Sequence, residues 1–61
     1  LSERQLKVLV AIGKGMTNRE IGVLLNLSES SIKQESSRIF KVLGAKSRYQ
    51  AVKLARQQGV I

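Results

Sequence analysis

Thr17-Asn18-Arg19-Glu20-Ile21-Gly22-Val23-Leu24-Leu25-Asn26-Leu27-Ser28-Glu29-Ser30-Ser31-Ile32 is the stretch on which the fold turns. Thr17 can accept a hydrogen bond from the third helical N–H, and Glu20 at that position can reach back, which makes a capping box. Asn26 stops the helix so begun, and Ser28 before Glu29 starts the next one, with the acid in the first turn where the helix dipole favours it. Two helices are therefore joined by about three residues, Asn26, Leu27 and Ser28. Leu27 is an apolar plug in the turn, and Ile32 can pack back onto Ile21 and Leu25. Gly22 lies inside the first helix of the pair, where a small residue lets the second cross steeply. This is the sequence form of a helix-turn-helix.

The same punctuation extends outward. Ser2–Gln5 and Ser47–Gln50 read as two more capping boxes. Gly13 and Gly15, Gly44 and Gly59 are the remaining stops. The spacing predicts an all-α, four-helix helix-turn-helix domain with helices near 3–13, 18–25, 29–43 and 48–58 and no strand. Val8, Leu9 and Ile12 share a face of the first helix, and Ile21, Leu24 and Leu25 share one on the second. Ile32, Ile39 and Leu43 make a stripe on the third, with Ser36 inside it. Ala51 and Ala55 give the fourth a small-residue face for close approach. Leu6 and Val10 lie off the main stripe.

Sixty-one residues make one domain, and a chain of this size buries only about 60% of its unfolded surface. With no cysteine or histidine, disulfides and the usual zinc sites are excluded, so no metal or other cofactor is expected. Without histidine or cysteine, and with its four acids mostly at caps and first turns, the chain has no nucleophile pattern and is not expected to be an enzyme. The longest apolar run, Val8 to Ile12, is too short to span a membrane or form a signal core, which fits a cytoplasmic protein with no membrane partner. Eleven basic residues against four acidic ones give a net charge of +7, and from Ser30 onward Glu35 is the single acid among seven bases. On composition, that excess fits either a polyanion binder or a soluble surface with a positive bias.

On the third helix, Ser30, Gln34, Ser37 and Lys41 face away from the apolar stripe, with Lys33 and Arg38 on the flanks. Such a face can read base edges and reach phosphates, although a basic helix face is also an ordinary solvated surface.

The whole chain, Leu1 to Ile61, resembles the LuxR/FixJ-type C-terminal helix-turn-helix domain of bacterial transcription regulators. Leu1-Ser2-Glu3-Arg4-Gln5 with Val8-Leu9 resembles Leu-Thr-x-Arg-Glu…Val-Leu. Gly15-Met16-Thr17-Asn18-Arg19-Glu20-Ile21-Gly22 is similar to Gly-x-Ser-Asn-Lys-Glu-Ile-Ala. Leu27-Ser28-Glu29-Ser30-Ser31-Ile32-Lys33 is similar to Ile-Ser-x-x-Thr-Val-Lys. Leu43-Gly44-Ala45-Lys46-Ser47-Arg48 with Ala51-Val52 is similar to Leu-Gly-Val-x-Ser-Arg…Ala-Val. The order and spacing of these pieces together are specific.

The resemblance implies the DNA-binding part of a longer regulator that binds double-stranded promoter DNA as a homodimer, with contact to RNA polymerase an option open to the family. It implies base contacts from Lys33, Gln34 and Ser37. It implies phosphate contacts from Lys46 and from residues near the helix starts, Thr17, Asn18, Ser28, Ser30 and Ser31. Helix N-termini do bind phosphate through their free N–H groups, and Arg38 and Lys41 are further phosphate candidates. It also assigns dimer contacts to the fourth helix, where Tyr49, Val52 and Arg56 are the exposed candidates. Alternatively, Val52 completes the core and Tyr49 lies over the chain leaving Gly44.

Several positions depart from the family pattern. Gln5 replaces Glu but can still complete a cap. Gly22 replaces Ala, at about 1 kcal/mol of helix propensity. Val42 stands where a basic residue is common. Ser36 stands where Val is usual, and its hydroxyl is expected to bond back to the Ile32 carbonyl. Glu35 stands where His is usual, and either pairs with Arg38 or Arg19 or accepts from a cytosine amine. The losses at 35 and 42, with Leu6 and Val10 exposed, motivate an alternative: a protein-interaction domain of the same fold with weakened DNA binding.

Overall fold

Every helix of the chain starts at a hydroxyl and stops at a left-handed residue. The computed structural model describes residues 1–61 as α1 (Glu3–Gly13), α2 (Asn18–Leu25), α3 (Glu29–Leu43) and α4 (Arg48–Gln57). Ser2 and Thr17 form complete capping boxes. Glu20 N–H donates to Thr17 Oγ1 at 3.1 Å, and Thr17 N–H donates to Glu20 Oε1 at 2.8 Å. Hydrogen bonds from the Thr17 backbone and side chain hold the Glu20 carboxyl below its ordinary pKa, outweighing a slight desolvation. A carboxyl with a depressed folded pKa stabilises above its unfolded pKa. This cap therefore acts fully at neutral pH and loosens as pH falls through the lowered value.

Ser47 departs from the expected box. Gln50 N–H donates to Ser47 Oγ at 3.1 Å, but the Gln50 side chain accepts from Lys46 N–H, at 2.6 Å, instead of Ser47 N–H. Ser47 sits at φ −150°, against −73° and −75° for the two complete boxes, and this turns its own N–H away.

The four stops share one device. Gly15, Asn26, Gly44 and Gly59 take positive φ, and the next residue's N–H reaches back five positions. These bonds are Met16 to Ala11, Leu27 to Gly22, Ala45 to Phe40 and Val60 to Ala55. The left-handed residue closes the last turn in the manner of a Schellman motif, and the apolar residue after it folds onto the core. The fourth helix ends at Gln57 instead of 58, because Gln58 is already the cap preceding left-handed Gly59.

The core consists of Val8, Leu9, Ala11, Ile12, Ile21, Ile32, Ile39, Leu43, Ala51 and Ala55. Helix α3 runs through it and packs against all three others. Leu24 does not belong to it: 64% of its surface is exposed. The reason lies in Gly22. At about 100° per residue, Ile21, Leu25 and Gly22 span one side of α2, and Leu24 falls beyond its edge. Gly22 is buried, and a Cβ there would sit 2.6 Å from the Leu27 carbonyl oxygen. The close approach of the turn to Gly22 rotates the buried face toward the glycine and away from Leu24.

Ser36 is buried within the α3 stripe as expected, but its hydroxyl has no hydrogen-bond partner. The back-bond expected from Ser36 to Ile32 is made one residue later, by Ser37 Oγ to the Lys33 carbonyl at 3.1 Å. A buried hydroxyl left unpaired costs about 1–3 kcal/mol. Ser36→Ala removes it and improves helix propensity, at the expense of a small void. The expected gain is about 1 kcal/mol, or roughly 4–8 °C in Tm, measured by thermal melting. A lower melting point would show that the hydroxyl is satisfied in solution.

Candidate nucleic-acid interface

The reading element is set by how α2 and α3 meet. Asn26 in the left-handed conformation reverses the chain, and Leu27 N–H bonds to the Gly22 carbonyl at 2.7 Å. Ile21 and Ile32 are fully buried between the two helices. The glycine that lowers helix propensity is thus what permits this contact, since ordinary Cβ contacts lie beyond 3.4 Å and this one would be at 2.6 Å.

Burial of Ile32, Ser36, Ile39 and Leu43 turns the opposite side of α3 outward. Ser30, Gln34, Ser37 and Lys41 are exposed there, as are Lys33 and Arg38 on the two flanks. Glu35 is not on that face. Its side chain is only 13% exposed, and its carboxylate accepts from Arg38 Nη1 at 3.2 Å. Of the pairings expected for Glu35, the structure shows the one with Arg38. Ser37 gives its proton to the Lys33 carbonyl, so its oxygen is left as an acceptor.

The candidates at the helix starts differ in what they can offer. Ser28 Oγ accepts from Ser31 N–H at 3.0 Å and donates to Ser31 Oγ at 2.9 Å. Its proton is therefore committed, while Ser30 and Ser31 keep theirs. The Asn18 and Arg19 N–H groups at the start of α2, and those of Glu29 and Ser30 at the start of α3, have no intramolecular partner. Two helix N-termini thus present free donors and partial positive charge. Thr17 is exposed and Asn18 half-buried at the first of them, and Lys46 is exposed in the α3–α4 connection.

On α4, Tyr49, Val52 and Arg56 line one depression together with Ile12 and Gly13. Tyr49 is 79% exposed and does not cover the chain leaving Gly44. Val52 is half-buried against the core, near Gly13, so it does complete the core while keeping an edge in the depression.

Arg48 is a residue the sequence reading passed over. Its Nη2 donates to the Met16 carbonyl at 2.6 Å, tying the start of α4 to the loop before α2. The available signal was electrostatic: a cation at the first position of a helix opposes the dipole and needs a compensating partner.

Capped α2, a tight left-handed turn and an outward basic face on α3 define a helix-turn-helix DNA-binding domain. The comparisons with known proteins agree. The family of bacterial regulatory proteins described as luxR matches residues 1–55, and the chain belongs to that family. It is 39% identical over 61 residues to the transcriptional regulatory protein YdfI of Bacillus subtilis, covering all of this chain and 29% of that protein. ComA of the same organism, also a transcriptional regulatory protein, is 39% identical over all of this chain and 28% of its own length. The crystal structure of the response regulator ChrA, from a heme-sensing two-component system, superposes with a TM-score of 0.97 at 34% identity. That match covers all of this chain and 30% of ChrA. The chain therefore spans under a third of the length of these relatives, which are regulators and not enzymes by name. No helix is long and apolar enough to cross a membrane.

Proposed function

We propose that the chain recognises promoter DNA by seating α3 in the major groove, and that two copies pair on the DNA as the binding part of a longer regulator. The observation that carries this reading is the chemistry of the outward face of α3. Lys33, Gln34 and Ser37 lie there without a carboxylate, because Glu35 is drawn back onto Arg38. Their donors and acceptors match base edges: Lys33 suits guanine O6 and N7, and Gln34 suits adenine N6 and N7. Ser37, left as an acceptor by its bond to Lys33, suits an exocyclic amine of cytosine or adenine. Backbone phosphates fall to Thr17, Asn18, Ser30, Ser31, Lys41 and Lys46. Ser28 contributes its cap more than its hydroxyl, and Arg38 contributes only the charge that Glu35 leaves it. Residence on the bacterial nucleoid and contact with RNA polymerase would follow from binding at promoters.

Lys33→Ala and Gln34→Ala should each weaken binding to a selected duplex by about 1–3 kcal/mol and relax preference at one base pair, with the helical circular dichroism unchanged. Wild-type affinity in both variants would mean that α3 is not the reading helix.

For pairing, Tyr49→Glu is the informative substitution, since Val52→Glu would also disturb the core. The patch of Tyr49, Val52 and Arg56 is far smaller than the roughly 1,000 Å² of a stable interface, so DNA must hold the copies together. Tyr49→Glu should abolish cooperative occupancy of a duplex with two half-sites and spare binding to one. Equal losses on both duplexes would place the dimer surface elsewhere.

A second reading, a protein-interaction domain that has lost tight DNA binding, is favoured by the exposure of Val10, Leu24 and Val42, although Leu6, expected to be exposed beside Val10, is half-buried. Salt-sensitive binding to promoter-derived duplexes separates the two: the first reading requires it and the second does not.

A further inference from the structure

A crevice opens where the start of α2, the middle of α3 and the start of α4 come together. Asn18, Lys33, Ser36, Ser37 and Arg48 line it, with Phe40 and Ile12 of α1 as apolar backing, and no carboxylate is among its walls. Three features give it a positive potential. Lys33 and Arg48 bring two cations. Asn18 stands at a helix start whose first N–H groups are unpartnered. Arg48 stands at another, against the sign its own helix dipole prefers. The Met16 carbonyl holds the Arg48 guanidinium in place at 2.6 Å, so the group is already oriented before any ligand arrives. Ser36 is 95% buried, and its hydroxyl is the one buried side-chain polar atom of the chain without a partner. The residue lines the crevice at the point where the family's pattern has valine.

We propose that this crevice is a seat for one phosphate group, with Arg48 and Ser36 as its members beyond the exposed face of α3. This rests on the DNA-binding reading, and the phosphate assigned to it is a phosphodiester of the strand beside the major groove. Lys33 swings out toward a base as α3 enters the groove, which uncovers the crevice floor. A phosphate oxygen then accepts from Arg48, from the start of α2 and from the Ser36 hydroxyl. The seat replaces a packing contact with a polar one, so the substitution that weakens the core at position 36 serves the interface.

The test uses a duplex selected from a random pool, resynthesised with a neutral methylphosphonate at one phosphate at a time. In the wild-type chain, one position in each half-site should lower affinity about tenfold, the usual scale of one hydrogen bond to a charged group. The same position should cost almost nothing in Arg48→Gln, which removes the guanidinium charge, and less than wild type in Ser36→Ala. The logarithmic salt slope of Arg48→Gln should fall by about 0.9 per copy with base preference unchanged. Should Arg48→Gln fail to fold, Ser36→Ala, which is expected to melt higher than wild type, carries the test alone. Methylphosphonate profiles identical in wild type and both variants would overturn the proposal. So would saturation of the Asn18 amide and Arg48 Nε resonances by inorganic phosphate with no Arg48-dependent position on the duplex, since the seat would then serve a free anion. Failure of the wild type to bind any duplex would instead remove the DNA reading itself.

Discussion

Raising salt from about 50 to 200 mM should weaken binding of two copies to a paired site roughly a thousandfold, the loss expected when about six phosphates are neutralised. The size follows from which cations are free. Lys41, Lys46 and Arg48 are exposed without an acidic partner, whereas Arg38 is half-neutralised by Glu35. Three free charges per copy give six for the pair. Each contact releases condensed counterions, which makes the logarithmic slope about −0.9 per phosphate. Lys46→Ala should lessen that slope by about 0.9 per copy and leave base preference intact. Fluorescence anisotropy across a salt series measures both. An affinity that does not change with salt would refute the DNA-binding reading as a whole.

Ile39→Ala should bring the domain close to unfolding at room temperature. Ile39 is fully buried in the C-terminal half of α3, the helix that touches the other three. Emptying such a site costs about 2–5 kcal/mol, and a chain of this size commands in total only about 3–9 kcal/mol. At roughly 4–8 °C per kcal/mol, a fall in Tm of ten degrees or more is expected. Leu24→Ala provides the contrast. The apolar spacing of α2 groups Leu24 with the core, but the side chain is exposed, and its truncation should cost about 0.5 kcal/mol. Comparable melting points for the two variants would contradict the packing described above.

Much of the architecture was legible because its signals are local. A hydroxyl followed three residues later by Glu or Gln marks a helix start whatever surrounds it, and Ser2 and Thr17 behave accordingly. Glycine or asparagine after an apolar stripe marks a stop, and all four stops were readable. The half-formed box at Ser47 was not, because residue types do not reveal φ. Leu24 was misplaced because a stripe is drawn from apolar side chains, and Gly22, which shifts the buried face, has none. The state of the Ser36 hydroxyl depends on side-chain orientation and on its neighbours in space. The Arg48–Met16 bond joins residues 32 positions apart, beyond any spacing rule. The exposed face of α3 was readable from periodicity, but the crevice beside it is assembled from four helices and was not.

The four helix endings have a consequence for how such a domain can change. Each helix is halted by a backbone reversal and one apolar residue folded inward: Met16, Leu27, Ala45 and Val60. None of these, and none of Gly15, Asn26, Gly44 and Gly59, is a residue proposed to read a base. The instructions for where the chain bends are therefore written apart from the instructions for what it recognises. A lineage can redraft the second set, exchanging Lys33, Gln34 or Ser37 to address a different promoter, while the first set continues to fold the chain. Position 36 is the exception, because it is at once part of the scaffold and a wall of the crevice. Drift there alters stability and recognition in the same step.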